Sequence, residues 1–307
     1  MSYFSVLAHN DLHSPVIMNL VSGWNIERFA RYGASEVIHS EIHPEFGNFP
    51  FYPSLNGLAS YVRSLTNRQI VLAAYMETLK GDMAGCHTSG GSKICSFSSA
   101  GVRYLDSQML ASGINHWELG DINEACPIRQ AKLTSNIYVS GPALCMDGGL
   151  QEWMQDAKNF EVGYENLLRD QTVDAQDVHV TAQNLPHNIT LSANGVAGTV
   201  YAIVKKNPSF TIVHLLNYSA LGSIRLDDPH GDYPMPISVR GLKLLISDVR
   251  TAPRAVWLAT PDRFHGDRQP LSWSMHGTDL EVLLPQLEFW DMLVIEKGVS
   301  GNGGTKD

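Results

Sequence analysis

Up to about Arg169, short apolar runs alternate with polar or amphipathic stretches, and beyond Asp170 the pattern changes. The runs 16–21, 36–41, 70–76 and 114–120 read as strands, and the stretches between them include a helix-like run over 55–65. Strands separated by helices predict parallel βα units. Leu150, Met154, Ala157, Phe160, Tyr164, Leu167 and Leu168 recur at spacings of three and four, which predicts one more helix whose apolar face covers the last strand. After residue 170 the runs 178–182, 199–204, 211–216, 237–245, 255–259, 279–284 and 290–295 are short, alternating and separated by Gly, Pro, Asn and Asp, the signature of an antiparallel β-sandwich. The expected organisation is a first domain over 1–171, a β-sandwich over 172–298 and a disordered glycine-rich tail over 299–307.

Four βα units are half of an eight-stranded barrel, whose usual length is about 250 residues, whereas roughly 170 precede the sandwich. The fold expected for the first domain is a partial (β/α)8 barrel; an open α/β sheet that only looks like one is the alternative. A half barrel leaves two open strand edges, which are able to recruit a second copy or another polypeptide.

The chain has 307 residues, 44% hydrophobic and 17% charged, an ordinary globular composition long enough for about two domains. A formal net charge of -9, with 22 Lys and Arg spread along the chain, argues against a nucleic-acid partner, because phosphate binding needs a concentrated cationic face. A neutral substrate fits better. No stretch approaches the roughly 20 apolar residues of a membrane helix, so no membrane partner is expected, and residues 1–20 lack the basic start and cleavage site of a secretory signal. Cys86, Cys95, Cys126 and Cys145 include no Cys-x-x-Cys pair and read as structural thiols or as one loop disulfide between Cys86 and Cys95, with zinc the weakest reading. Asn188 and Asn217 head glycosylation sequons that matter only in a secreted eukaryotic chain.

The candidate chemistry gathers around Glu41. In a strand every second side chain faces the same way, so Val37, His39 and Glu41 share one face and Ile38, Ser40 and Ile42 the other. Glu41 ends its strand before an aromatic, proline-rich loop containing Phe46, Phe49, Phe51 and Tyr52. A carboxyl group at the carboxy end of a barrel strand, among faces on which sugar rings stack, is where a glycosidase keeps its proton donor. Phe46 and Tyr52 are the expected stacking platform, although the loop could instead fold its rings under itself as a small core. The same alternation in 114–120 places His116 and Glu118 toward Glu41 and Trp117 beneath the helices. Asp121 follows at the same mouth as either a substrate ligand or a cap, and Tyr75, ending the third strand, offers a hydroxyl that could orient a carboxylate or a sugar. His39, Glu41 and His43 suggest a metal site, but the two histidines stand roughly 13 Å apart along a strand, too far for one ion. No metal or cofactor is called for.

Taken in order, Ser40-Glu41-Ile42-His43, Leu72-Ala73-Ala74-Tyr75-Met76, His116-Trp117-Glu118-Leu119-Gly120-Asp121 and Gly163-Tyr164-Glu165-Asn166-Leu167-Leu168-Arg169 resemble glycoside hydrolase family 66, the endo-dextranases and cycloisomaltooligosaccharide glucanotransferases. His214-Leu215-Leu216-Asn217 and 285–292 resemble its carboxy-terminal β-domain. The resemblance implies a retaining enzyme on α-1,6-glucan, typically secreted, with its acid/base Glu after the sixth barrel strand, matched by Glu41, and a nucleophilic Asp after the fourth. The four strands here then correspond to the fifth to eighth. Two βα units need at least about 60 residues and only 40 precede Glu41, so the nucleophile is expected to be missing and the chain inactive alone. Asp11 precedes the first strand and would sit at the opposite barrel face. The cyclising members carry a carbohydrate-binding insertion for which 76–114 leaves no room, which favours the dextranase branch. A non-catalytic carbohydrate-binding relic and an unrelated complete α/β enzyme are the rival readings.

Overall fold

The computed structural model describes residues 17–21, 25–32, 37–42, 49–74, 87–89, 92–96, 98–117, 120–122, 131–133, 143–169, 172–186, 189–228 and 231–298. The chain divides into two compact units, Met1–Glu161 with Leu221–Met235, and Val162–Ala220 with Pro236–Asp307. The sequence pattern suggested a boundary at 171/172 and no return of the chain. The division instead falls within a helix, and a later segment joins the first unit.

The strands of the first unit are β1 (Ile17–Val21), β2 (Val37–Ile42), β3 (Gln69–Ala74), β4 (His87–Ser89), β5 (Ser92–Ser96), β6 (Asn115–His116), β7 (Gly120–Ile122), β8 (Ala131–Leu133) and β9 (Ala143–Cys145). Its helices are α1 (Ile26–Tyr32), α2 (Tyr52–Leu65), α3 (Ser99–Ser112) and α4 (Gly148–Gly163), the last running across the unit boundary. β1, β2, β3 and β6 pair in that order, all parallel, with helices in the crossovers. Ile38, Ser40 and Ile42 are fully buried, as are Leu72 and, within 1%, Ile70, so one sheet face is sealed with small and branched side chains.

Helix α2 starts three residues earlier than the sequence suggested, because Pro53 sits in its first turn with its backbone angle already helical. Its buried stripe is Tyr52, Leu55, Leu58, Ala59 and Val62. In α3 the Ser98 hydroxyl caps the start by accepting from Gly101 N at 3.0 Å, and Gly113, at φ 77°, ends it in the left-handed turn that favours glycine. The two helices are tied where Arg63 Nη1 donates to Ser112 O at 2.6 Å.

A second sheet of five short strands runs in the order β4-β5-β9-β8-β7. Each strand has three to five residues of mixed polarity, too short for a periodic signal. Cys145, at the end of β9, is disulfide-bonded, whereas the sequence offered free thiols or a Cys86–Cys95 loop.

The returning segment, Leu221–Met235, forms an arm on the first unit. Phe51 and Arg225 make an antiparallel bridge, with Tyr52 N donating to Ile224 O at 3.0 Å and Leu226 N to Pro50 O at 2.9 Å. Tyr104 of α3 donates its hydroxyl to Pro234 O at 3.2 Å and meets the Tyr233 ring edge-on at 6.4 Å. Arg225 grips Asp227 through both carboxylate oxygens, at 3.0 and 2.6 Å. Asp228 is fully buried. Burial pushes the Asp228 carboxyl up from its ordinary value and the Tyr233 hydroxyl up to about 12.

The second unit begins with α5 (Glu165–Leu168) and continues through β10 (Val173–Asp174), β11 (Val180–Gln183), β12 (Thr190–Ser192), β13 (Thr199–Lys206), β14 (Phe210–Asn217), β15 (Val239–Ile246), β16 (Ala255–Ala259), β17 (Gln269–Pro270), β18 (Trp273–His276), β19 (Asp279–Leu287) and β20 (Trp290–Glu296). One sheet runs β10-β13-β14-β20-β16-β17 with β12 beside β13, and the other β11-β15-β19-β18. Val213, Leu215, Leu293 and Ile295 of the first sheet share a core with Leu242, Leu244, Leu280, Val282 and Leu284 of the second, the layering of a β-sandwich. Asn217 is fully buried and donates its amide to Ile237 O at 2.8 Å, so in the folded chain this sequon asparagine is not an accessible glycan acceptor. The 299–307 tail and Asn188 lie outside the described residues.

Candidate active site

The site is built on the face of the parallel sheet opposite its sealed side. In-register neighbours on parallel strands point the same way, and the register pairs Asn19 with His39, His39 with Val71, and Val71 with Asn115. Asn19, His39, Glu41 and Asn115 therefore share one face. Glu41 stands at the carboxy end of β2, half-buried, and Asn19 Nδ2 donates to its Oε1 at 2.8 Å. That hydrogen bond, from the neighbouring strand, holds one carboxylate oxygen in place. Among the described residues of these four strands, Glu41 is the one carboxylate.

His39 is only 6% exposed and lies edge-on to the Trp117 ring at 5.2 Å. Burial pushes its imidazole below the ordinary histidine value, against a smaller upward pull from Glu41. Trp117 is held just past β6 by its backbone N, which donates to Leu72 O at 2.7 Å, and its side chain is 48% exposed.

The fourth strand corrects the sequence reading. His116 was expected toward Glu41 and Trp117 beneath the helices; the structure has them reversed. His116 faces α3, where its Nδ1 meets Asp106 Oδ1 at 2.6 Å with both side chains almost fully buried. Trp117 takes the Glu41 side. The strand is also shorter than 114–120, ending at His116, with Gly120 opening β7 of the other sheet. Asp121 lies within β7, paired in register with Lys132, rather than just beyond the strand of the parallel sheet.

Tyr52 is a second correction. Its side chain is fully buried as the first residue of α2, with its ring 6.4 Å from that of Tyr104, so it has no face to offer a sugar. It belongs to the core between α2 and α3. Phe51, beside it, is 46% exposed. Phe46, Tyr75, Glu118 and His43 lie outside the described residues. Among the described residues no cluster of three potential ligands could hold a metal ion, and no helix is long and apolar enough to cross a membrane.

Sequence reasoning missed Asn19 and misplaced Trp117. The signal for Asn19 was present: it is the lone polar residue within the five apolar-flanked positions of β1. For Trp117 the apolar character of the ring argued for burial, and nothing local revealed that Asp106 would claim its neighbour.

Comparison with known proteins gives one family. The family model of glycosyl hydrolase family 66 matches residues 2–294. Two cycloisomaltooligosaccharide glucanotransferases of Niallia circulans are 32% identical over 215 residues and 28% identical over 209, each match covering 66% of this chain and 20% of the relative. The chain thus spans about a fifth of the length of these relatives. A solved cycloisomaltooligosaccharide glucanotransferase of Paenibacillus sp., complexed with cycloisomaltoheptaose, shares the fold with a TM-score of 0.74 at 17% identity, over 94% of this chain and 57% of that one.

Proposed function

The chain belongs to glycosyl hydrolase family 66, and on that premise we propose that Glu41 is the general acid/base of a retaining glycosidase acting on α-1,6-linked glucan. The observation that carries this reading is the position of Glu41 at the carboxy end of a parallel strand, oriented by the Asn19 amide at 2.8 Å. The sequential parallel order of β1, β2, β3 and β6 is what four consecutive units of a (β/α)8 barrel would show, and we take the sheet as such a segment. Active carboxylates of barrel enzymes occupy the carboxy ends of strands, where Glu41 lies.

In this mechanism Glu41, protonated, donates to the glycosidic oxygen as the bond to the anomeric carbon breaks. A carboxylate takes the anomeric carbon, and Glu41 then accepts a proton from the water that releases the sugar. Among the described residues of the four parallel strands there is no second carboxylate beside Glu41. We therefore place the nucleophile elsewhere and read residues 1–307 as binding glucan with little or no turnover of their own. Among the described residues β1 and β6 end the parallel sheet, and self-association through these edges is part of the same proposal; Ile17 on β1 is 51% exposed. Hydrolysis, the dextranase branch, is favoured by the shortness of 76–114; the transferase names of the relatives favour glucanotransfer, and product analysis separates the two.

The test supplies the absent nucleophile from solution. Isomaltotriose is incubated with residues 1–307 and molar formate, which can attack the anomeric carbon while Glu41 protonates the departing oxygen. The expected result is no turnover without formate, slow formate-dependent cleavage, and loss of that cleavage in Glu41→Gln by about 100-fold or more. Formate-dependent cleavage that Glu41→Gln leaves intact overturns the acid/base assignment. Normal dextran hydrolysis without formate overturns the claim that the nucleophile is elsewhere.

A further inference from the structure

Beside Glu41 the sheet face contains a buried polar atom that the ligand-free protein leaves unsatisfied. His39 is 6% exposed, and its Nε2 is buried without a hydrogen-bond partner. A buried nitrogen without a partner has given up its hydration with nothing in return, which a hydroxyl brought to it would restore. Its strand is paired on both sides, and its ring and that of Trp117 meet edge to face, with centroids 5.2 Å apart and an interplanar angle of 67°.

Trp117 supplies the complementary half. Its backbone is anchored to β3 by the bond to Leu72 O, whereas the residue is 48% exposed. An anchored, exposed indole next to a buried hydrogen-bonding nitrogen is a small amphipathic site: an apolar face for the C–H side of a pyranose ring and a polar atom for one of its hydroxyls. Burial favours the neutral imidazole, which has one donor and one acceptor and suits an uncharged hydroxyl better than an anion.

We propose that His39 and Trp117 form a sugar subsite that seats the glucosyl unit adjoining the bond on which Glu41 acts. Trp117 stacks against the ring and His39 Nε2 exchanges a hydrogen bond with a ring hydroxyl. The inference rests on the α-1,6-glucan reading above and adds two binding residues to it. His39 and Glu41 are two positions apart on one strand face, a backbone spacing of roughly 7 Å, so their side chains stand side by side over the same stretch of the sheet.

The test is titration calorimetry of isomaltotriose with the wild-type chain, Trp117→Ala, Trp117→Phe, His39→Gln and His39→Phe, each checked for an unchanged unfolding midpoint. Loss of the stacking face in Trp117→Ala is expected to weaken binding about tenfold, with Trp117→Phe recovering most of it. His39→Phe is expected to weaken binding while His39→Gln, which keeps polar atoms, weakens it less. Because His39 variants could perturb the sheet, the wild-type protein provides an independent readout: isomaltotriose should slow oxidation of Trp117 by N-bromosuccinimide, read by peptide mass spectrometry. Wild-type binding that is equal in all four variants, without protection of Trp117, overturns the subsite and leaves the glucan reading standing. No binding of isomaltotriose to the wild-type chain overturns both.

Discussion

Gly101→Ala tests how tightly the arm is locked to the first unit. A Cβ at Gly101 would lie 2.5 Å from Asp228 Oδ2, 3.1 Å from Ser98 Oγ and 3.3 Å from Asp228 Cβ. The nearest atom ends a short side chain whose own Cβ is also crowded, so rotating the carboxyl away does not clear the space and the arm backbone must shift. Alanine by itself favours a helix over glycine by about 1 kcal/mol. Against that, overpacking a dense site costs about 1–3 kcal/mol. Displacing the arm also strains the Tyr52–Ile224 and Leu226–Pro50 hydrogen bonds, each worth about 1 kcal/mol. With the two bonds weakened rather than lost, by about 1 kcal/mol together, the net is a destabilisation of about 1–3 kcal/mol. Gly57→Ala in α2 is the matched control, since nothing lies within 4 Å of its Cβ position; it should stabilise by up to about 1 kcal/mol. Urea unfolding gives the two free energies, and hydrogen exchange at the Tyr52 and Leu226 amides shows whether the arm is what loosens. If Gly101→Ala stabilises as Gly57→Ala does, with both amides still protected, the arm is not packed on the α3 start as described.

Two further predictions concern buried ionisable groups. Asp291 is fully buried, and burial pushes its carboxyl up to about 8 despite Arg263 Nη2 at 3.2 Å. A carboxyl raised above its unfolded value stabilises the fold below about pH 4 and loses that contribution as pH rises through about 8. Wild-type stability should therefore fall by up to about 1.4 kcal/mol per pH unit across that window relative to Asp291→Asn; parallel pH profiles for the two proteins would contradict it. Asp106→Ala removes the acceptor facing His116 between α3 and β6 and should cost about 1–3 kcal/mol in denaturant unfolding, with Asp106→Asn costing less because it keeps an oxygen there. Equal stability of Asp106→Ala and wild type would show that the pair is not a structural tie.

Some of this arrangement was legible from short-range pattern alone. The alternation in Val37-Ile38-His39-Ser40-Glu41-Ile42 separates one sealed face from one polar face, and the structure buries Ile38, Ser40 and Ile42 fully. Seven strands of the second unit, β11, β13, β14, β15, β16, β19 and β20, were legible for the same reason, whereas β10, β12, β17 and β18, of two to four residues, were not. What local pattern could not supply were choices made by distant partners. His116 and Trp117 are adjacent, and which of them faces the helices is decided by Asp106, ten residues earlier on α3. Tyr52 reads as part of an aromatic loop, but Tyr104 and the arm close over it. The arm itself reads as a polar turn, Asp227-Asp228-Pro229-His230-Gly231, and nothing in that run points to Pro50 and Phe51 as its partners.

The interleaving of the chain also constrains how this protein can be divided. Leu221–Met235 leaves the second unit after β14 and rejoins it before β15. A polypeptide cut after Glu161 would keep α2 and α3 but strip the cover from Tyr52 and Tyr104, while the remainder would carry Leu226 and Tyr233 with nothing to bury them. An independently expressed first half therefore needs the arm grafted back, and the second half needs a short replacement joining Ala220 to Pro236. Evolutionary recombination meets the same obstacle: neither piece can be inherited or exchanged as one uninterrupted stretch of gene.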